Sequence, residues 1–256
     1  MKRFFQIPNI LSACLVTGSE KQRCGYGNGD CLFIDYHHHV IAVADATERC
    51  PTASRWLIQN FHNNLQRISF SDDPEQFGHC VQEAYAHQAY EHKTTFCAVA
   101  LIPSKSHEII LGVAHGGDST LMLVNWTDGT IMYQTRSNMN FAGRSKTCTH
   151  VFPLTLNDLS TRIILTTDGF SDVIRHINHQ NYSSPTGLNG KLIDELLFTS
   201  VDHTALFISE YISTHQHHME YDDLACIIVD PFQFMTLQSQ SYVILGGTSP
   251  QEEHSQ

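Results

Sequence analysis

Four runs of strand length follow one another between residues 96 and 134, and tight turns separate them. The runs are apolar or alternate between apolar and polar residues, as strands do, and they cover Phe96–Ile102, Ile109–Ala114, Leu121–Asn125 and Ile131–Gln134. Gly116-Gly117-Asp118 and Thr127-Asp128-Gly129 supply turn residues between them. Because a tight turn can join only antiparallel strands, this part of the chain is predicted to form antiparallel sheet.

Helices are predicted before and after this strand-rich region. The other predicted elements are a hairpin (Cys31–Ile34 and Val40–Ala44), helices from Pro51 to Ile68 and from Asp72 to Gln88, a strand at Arg162–Thr167, helices at Phe170–Arg175 and Lys191–Ser213, and a strand at Leu224–Val229. Thr135–His150 and Asn178–Gly190 are predicted to be loops, and Gly246–Gln256 a disordered tail. This order predicts an α+β fold in which helices cover the outer faces of antiparallel sheets.

The composition limits the class of protein. The chain has 256 residues, of which 41% are hydrophobic, and this is enough for one sizeable core. A formal net charge of −11 argues against binding nucleic acid, because an acidic surface repels phosphates. No apolar stretch approaches the roughly 20 residues that span a bilayer, so we expect a soluble protein without membrane partners. We also expect a monomer.

The cysteines bear on the compartment. Eight cysteines are present, but none forms a Cys-x-x-Cys pair. A chain with its own core does not need disulfides, and we therefore expect a reducing, cytoplasmic setting. The first residues, Met1–Phe5, faintly resemble a signal peptide, so secretion stays open.

Three aspartates stand at the ends of predicted buried strands. Asp45 and Asp168 each follow an apolar run, and Asp222 comes just before Leu224–Val229. Several strand ends at one sheet edge would form a preorganised cluster of oxygen ligands. Crowded carboxylates repel one another unless a hard cation such as Mg²⁺ or Mn²⁺ neutralises them. Each aspartate alone is also typical of an ordinary turn, and we interpret Asp118 as such a structural turn residue.

The successive motifs resemble those of the protein phosphatase 2C family, in particular its sporulation-type bacterial branch. In chain order the motifs are Gly29-Asp30, Val43-Ala44-Asp45-Ala46, Thr94-Thr95-Phe96, Ala114-His115-Gly116-Gly117-Asp118-Ser119, Thr166-Thr167-Asp168-Gly169-Phe170-Ser171-Asp172 and Asp222-Asp223-Leu224. The resemblance implies a four-layer αββα sandwich, in which helix pairs flank two antiparallel sheets. We expect this domain at residues 25–232, between an N-terminal segment (1–24) and a C-terminal extension (233–256).

The resemblance also implies a metal-dependent protein serine/threonine phosphatase with two Mn²⁺ or Mg²⁺ ions per chain. By position, Asp45 resembles the carboxylate that bridges both metals, and Ala46 stands where a carbonyl oxygen binds the second metal. Asp168 and Asp222 resemble the remaining ligands of the first metal. Asp30 resembles a carboxylate that orients metal-bound water, so Asp30 and Asp45 are the candidate catalytic residues. The expected partner is a phosphorylated protein, attacked by a water that the metals activate.

Some positions depart from the family pattern. Gly29 replaces an acidic or amide residue, and Ala46 replaces a glycine. The arginine that often binds substrate phosphate is expected where this chain has Gly25, so Arg23 and Arg49 are the alternative phosphate-binding candidates. Three functions therefore stay open: an active protein phosphatase, an inactive pseudophosphatase that serves as a regulatory binding module, and a phosphohydrolase that acts on a small molecule.

Two histidine-rich tracts stand outside these motifs. They are His37-His38-His39 and His215-Gln216-His217-His218. Short histidine tracts are typical of metal sites, but both tracts fall in predicted loops. We favour solvated loop residues over a functional zinc site.

Overall fold

Strands and helices make up most of this computed structural model, which describes residues 2–47, 49–68, 74–104, 108–181 and 200–249. The strands in these ranges are β1 (Lys2–Ile7), β2 (Leu11–Val16), β3 (Asp30–Asp35), β4 (Val40–Asp45), β5 (Phe96–Pro103), β6 (Ile109–Gly116), β7 (Thr120–Asn125), β8 (Ile131–Gln134), β9 (Thr149–Leu156), β10 (Thr161–Thr166), β11 (Leu224–Val229) and β12 (Tyr242–Gly246). The helices there are α1 (Ser19–Cys24), α2 (Ala53–Leu65), α3 (Pro74–His87), α4 (Gly169–Asn181), α5 (Val201–His215) and α6 (Pro231–Phe234).

The strands form two six-stranded sheets whose neighbours are all antiparallel. The first sheet has the order β1-β2-β11-β10-β7-β8, and the second has the order β12-β3-β4-β5-β6-β9. Tight turns join the paired strands β3 and β4 and the paired strands β7 and β8. The predicted turn at Gly116-Gly117-Asp118 instead leads from β6 in the second sheet to β7 in the first, so the expectation of antiparallel pairing across this turn was wrong. The predicted pair of antiparallel sheets in an α+β fold is confirmed.

Side-chain alternation along the strands separates three apolar layers. In β4, Ile41 and Val43 point between the two sheets, whereas Ala42 faces α2 and α3. On that outer side, the rings of Phe33 and Phe61 meet edge-on with centroids 6.0 Å apart. A third apolar cluster joins the outer face of the first sheet to α4 and α5. The layer order is helix, sheet, sheet, helix, as predicted.

The two segments that we expected to flank the domain both contribute strands to the sheets. Residues 1–24 contain β1, β2 and α1, and β2 pairs with the central strand β11. Residues 233–256 contain β12, which pairs with β3. The boundaries after residues 24 and 232 therefore divide segments that share the same sheets. Within the supposed tail, the Gly247 and Thr248 N–H groups donate to Asp30 and Asn28 carbonyls, so residues 246–249 are tied to β3.

Other predicted boundaries also shift. Helix α4 extends through Asn181, so residues 178–181 of the predicted loop are helical, and the rest of that loop lies outside the described residues. The predicted helix Lys191–Ser213 is described only from residue 200, and α5 begins at Val201. Strand β9 starts inside the predicted loop Thr135–His150, and residues 250–256 of the predicted tail are not described. None of the helices in the described ranges combines the length and apolar character needed to cross a bilayer.

The stacking of the sheets sets the position of the acidic residues. Strand β11 of the first sheet packs against β3 and β4 of the second sheet. Asp30 begins β3 and lies opposite Asp45 at the end of β4. Asp168 follows the end of β10, and Asp222 precedes the start of β11. Because β10 and β11 are antiparallel neighbours, both aspartates lie at the same end of the first sheet. The four aspartates therefore meet at one end of the sandwich.

Candidate active site

Asp30 is the most deeply buried of these aspartates. Its side chain is fully shielded from solvent, and the Thr167 hydroxyl donates a hydrogen bond to its Oδ2. The same hydroxyl accepts the Ala225 N–H at 2.9 Å, so Thr167 links the end of β10 to both β3 and β11. Asp30 Oδ1 has no hydrogen-bond partner among the described residues. A buried carboxylate oxygen left unpartnered costs free energy, and a ligand or a proton would relieve that cost.

Mutual repulsion dominates the electrostatics of this cluster. Burial raises the pKa of Asp45 to about 8, and the charge of Asp168 adds to the effect. Burial also raises the pKa of Asp30 well above its ordinary value, with further contributions from the charges of Asp45 and Asp223. The pKa of Asp168 rises to about 6, first through burial and then through the charges of Asp222 and other nearby aspartates. The cluster therefore favours neutral carboxyls unless cations are bound.

A lysine lies within the acidic cluster. Lys21 Nζ is 2.9 Å from Asp222 Oδ1 and 2.9 Å from Asp223 Oδ2. Burial lowers the pKa of Lys21, but the charge of Asp223 and the hydrogen bonds to both aspartates outweigh burial and leave it raised. Asp223 also accepts the backbone N–H groups of Gly18 at 2.6 Å and Gly29 at 2.7 Å. Lys21 and Asp223 thus join α1, β3 and β11 beneath the cluster.

A cavity of about 790 Å³ opens beside these residues. Oxygen donors on its wall come from Asp45, Ala46 and Asp222. Basic side chains line the same cavity, and they are Lys21, Arg49, His92, Lys93 and Arg144. Arg144 stacks on the Tyr90 ring at 3.9 Å, and Lys93 lies over the Phe141 ring at the same distance. Acidic and basic groups therefore face one cavity.

The structure brings most of the predicted site residues together. Asp45, Ala46, Asp222 and Arg49 line this cavity, Asp30 is buried next to Asp45, and Asp168 lies close enough to raise the pKa of Asp45.

Asp118 lies in the turn between β6 and β7, and its charge raises the pKa of Asp168. Arg23 lines a neighbouring cavity of about 470 Å³ and is 3.5 Å from Glu220, so the structure does not place it beside Asp45.

Sequence reasoning missed four residues of this region. The burial of Asp223 could have been predicted, because it adjoins Asp222 just before a strand. Two successive residues of an extended chain point to opposite faces, so one of this pair is expected to point inward. Lys93 and Arg144 are ordinary surface residue types in polar segments. Lys21 had no local signal, because its acidic partners lie about 200 residues further along the chain.

The absence of a side chain at position 29 has a steric cause. A Cβ on Gly29 would lie 2.5 Å from the Ala46 carbonyl oxygen, which is far inside ordinary contact distance. The Gly29 N–H donates to Asp223, and its carbonyl accepts the Ala46 N–H at 3.1 Å. An acidic side chain has no room at this position. The close packing of the start of β3 against the residue after β4 therefore explains why glycine replaces the acidic or amide residue of the family pattern.

The donor set of this site suits hard cations. Within the described part of the chain, no set of three or more His, Cys, Asp or Glu side chains forms a ready-made metal site. The unpartnered Asp30 oxygen and the mutually repelling carboxylates are nevertheless the groups that a divalent cation stabilises. Oxygen donors of this kind fit Mg²⁺ or Mn²⁺ better than zinc.

The histidine tracts lie away from this cavity and make contacts within the protein. His37–His39 form the turn after β3, at the opposite end of that strand from Asp30. His38 Nδ1 lies 2.8 Å from Asp35 Oδ2, and its side chain is only 9% exposed, so the interpretation of a solvated loop was wrong for this residue. His215 ends α5 and stacks on Tyr211 with ring centroids 4.2 Å apart.

Without bound metal, the free energy of unfolding should fall as the pH rises from about 6 to about 8. A carboxyl with a raised pKa holds its proton in the folded state after the unfolded state, with a pKa near 4, has lost it. The stability that this proton provides is fully present below about pH 4 and is lost as the pH approaches the folded pKa. The stabilising contribution of the Asp168 proton is lost by about pH 6, and that of the Asp45 proton by about pH 8.

Thermal unfolding followed by circular dichroism in the presence of a chelator measures this dependence. Asp45→Asn removes one of the carboxyls with a raised pKa and should make the fall between pH 6 and 8 less steep. Asp30, whose pKa is also raised, remains in the variant and contributes to the slope that is left. A flat or rising wild-type curve in that interval would contradict the assignment. Asp35 does not interfere, because the hydrogen bond with His38 and the nearby His62 ring outweigh burial and lower its pKa, which confines its effect to more acidic pH.

Comparison with known proteins identifies the fold. No family model and no curated protein sequence matches the chain. Among solved structures, the catalytic domain of the serine/threonine protein phosphatase PstP, in complex with two manganese ions, matches with a TM-score of 0.58 and 15% identity, over 89% of this chain and 96% of that chain. RsbX in complex with magnesium matches with a TM-score of 0.55 and 14% identity, over 89% and 98%.

A third match carries the family name. The SiaA-PP2C domain of Pseudomonas aeruginosa has a TM-score of 0.56 and 13% identity, over 86% of this chain and 85% of that chain. At identities this low, the structural match establishes the fold alone, and any inference about chemistry has to come from the residues of the site. The predicted resemblance is confirmed at this level: the chain has the protein phosphatase 2C fold.

Proposed function

We propose that this chain is a metal-dependent protein serine/threonine phosphatase. The observation that carries the proposal is the meeting of strand-end aspartates from both sheets beside a cavity with basic side chains. Asp45, the Ala46 carbonyl, Asp168 and Asp222 would hold two Mn²⁺ or Mg²⁺ ions. Bound ions of this kind supply a water that ionises near neutral pH and offset charge on a phosphoryl group. Structures with this fold have been solved with manganese and with magnesium, which supports the choice of metal.

Asp30 is suited to handle a proton in this reaction. Thr167 donates a hydrogen bond to Asp30 Oδ2, whereas Oδ1 accepts none from the described residues. Burial and the neighbouring charges raise the pKa of Asp30, which makes its carboxylate a stronger base than an exposed aspartate. In this proposal Asp30 Oδ1 accepts a hydrogen bond or a proton from the attacking water, and Thr167 fixes the direction in which that oxygen points.

The basic side chains of the cavity would bind the substrate phosphate. Arg49 was a phosphate-binding candidate from the sequence, and the structure adds Lys93 and Arg144 to the same cavity. Arginine binds phosphate in a bidentate manner, and stacking on Tyr90 restrains Arg144 before substrate arrives. The substrate we propose is phosphoserine or phosphothreonine in a protein, handled in the cytoplasm by a monomer. The eight cysteines, all of them free, support a reducing setting.

An inactive binding module is the second candidate, and one observation favours it. Lys21 already neutralises part of the acidic cluster, and the described residues include no ready-made metal site. Hydrolysis of para-nitrophenyl phosphate and of a phosphoserine peptide, each with Mn²⁺ and with a chelator, separates the candidates. Turnover that needs Mn²⁺ supports the phosphatase, and no turnover of either substrate supports the binding module. Turnover confined to small esters would overturn the protein substrate.

Arg144→Gln should raise KM for a phosphopeptide about tenfold or more and change kcat much less. The reason is that Arg144 lies on the cavity wall, where it would contribute to ground-state binding of the phosphate but not to activation of the water. Steady-state kinetics on a phosphoserine peptide measures both constants. Arg136→Gln is the matched control, because Arg136 is an exposed arginine of the same loop outside the cavity lining. Equal KM values in the two variants would contradict the role of Arg144.

A further inference from the structure

We infer that Lys21 competes with a divalent cation for Asp222, so that this acidic cluster carries its own counter-ion. The inference rests on the proposed function only in that it takes the cluster to bind metal. Lys21 extends from the short helix α1 and its side chain is only 5% exposed. Its Nζ atom lies 2.9 Å from one carboxylate oxygen of Asp222 and 2.9 Å from one carboxylate oxygen of Asp223. One monovalent cation therefore occupies a position between two adjacent acids.

The two acids hold Lys21 unequally. Asp223 is 1% exposed, and two backbone N–H groups fix both of its oxygens. A buried charge of this kind needs its cationic partner, since leaving it unpaired is strongly destabilising. Lys21 is therefore anchored on Asp223, and this contact stays in place whether or not metal is present.

Asp222 is the partner that can exchange. Its side chain is 52% exposed and lines the cavity together with Asp45 and Ala46. Water screens an exposed ion pair and makes it weak, so a divalent cation can replace the ammonium group on Asp222. The same ammonium group then remains close to the bound cation and repels it. Lys21 thus weakens the binding of the ion that uses Asp222, while an ion held by other ligands is affected less.

Isothermal titration of the purified, metal-free chain with MnCl₂ tests this competition without measuring activity. In Lys21→Met, which keeps the length of the side chain and removes the charge, the weaker Mn²⁺ site should bind about tenfold more tightly than in the wild type. Lys146→Met is the control. It removes an exposed lysine that lines neither cavity, and its Mn²⁺ affinity should stay close to the wild-type value.

A second variant covers the case in which Lys21→Met fails to fold with Asp223 unpaired. Lys21→Met combined with Asp223→Asn removes both charges of the buried pair, and it should also bind Mn²⁺ more tightly than the wild type. Unchanged or weaker Mn²⁺ binding in the folded variants would overturn the competition and leave the proposed function standing. No Mn²⁺ binding by the wild type or by any variant would overturn the inference together with the metal-dependent function.

Discussion

Asp45→Asn should reduce Mn²⁺-dependent hydrolysis of a phosphopeptide by about a hundredfold or more. Replacing groups that merely support metal ligands typically costs 10- to 100-fold in affinity or activity, so loss of a direct carboxylate ligand should cost at least the upper value. Asp45 lies opposite Asp30 in the sheet and lines the cavity. An amide oxygen at this position keeps the shape of the side chain but carries no charge with which to hold a cation.

The same substitution should leave the fold intact. Asp45 is surrounded by protein and by other acids, and without metal its neutral form is favoured up to about pH 8. An uncharged asparagine removes repulsion toward Asp168, so the metal-free variant should unfold at the same temperature as the wild type or higher. Loss of activity would then not be explained by unfolding.

Phosphopeptide assays and thermal unfolding on the same samples separate these two effects. Glu220→Gln is the control, because Glu220 is an exposed acid two residues before Asp222 and pairs only weakly with Arg23 at 3.5 Å. Its rate should match the wild type. Wild-type turnover in Asp45→Asn would remove Asp45 from the metal site and with it the central residue of the proposed function.

The strand-end aspartates could be predicted because their signals are local. Asp45 and Asp168 each follow an apolar run whose length and composition indicate a strand, and the same run fixes where the carboxylate stands. Asp222 precedes an equally clear strand. That these three strands end at one place was an inference from the family motifs, because pairing between distant strands leaves no mark on either strand alone.

The strands near the chain ends could not be predicted in the same way. The apolar residues of β2 (Leu11–Val16) follow a start that resembles a signal peptide, and their strand character comes from pairing with β11, more than 200 residues away. Strand β12 lies at the edge of the second sheet, and its apolar run Tyr242–Leu245 is only four residues long before Gly246. In both cases the apolar run is visible in the sequence, but its pairing with a strand more than 200 residues away is not.

Asp223→Ala should destabilise the protein by about 3–5 kcal/mol, the usual cost of breaking a buried ion pair. The variant removes the acceptor of the Gly18 and Gly29 N–H groups and leaves Lys21 with only the exposed Asp222 as a partner. One effect has the opposite sign, because the charge of Asp223 raises the pKa of Asp30 and its removal eases that repulsion. This relief concerns one carboxyl, whereas the substitution removes three contacts of Asp223, so we expect a net loss of stability.

Urea unfolding followed by circular dichroism at neutral pH measures this cost. Asp223→Asn keeps one oxygen for the backbone N–H groups and should lose less stability than Asp223→Ala. Glu220→Gln breaks an exposed pair, and its free energy of unfolding should stay within about 1 kcal/mol of the wild type. If Asp223→Ala were as stable as Glu220→Gln, the Lys21–Asp223 pair could not be the link that holds α1, β3 and β11 together. Lys21 would then have no fixed anchor from which to compete for Asp222.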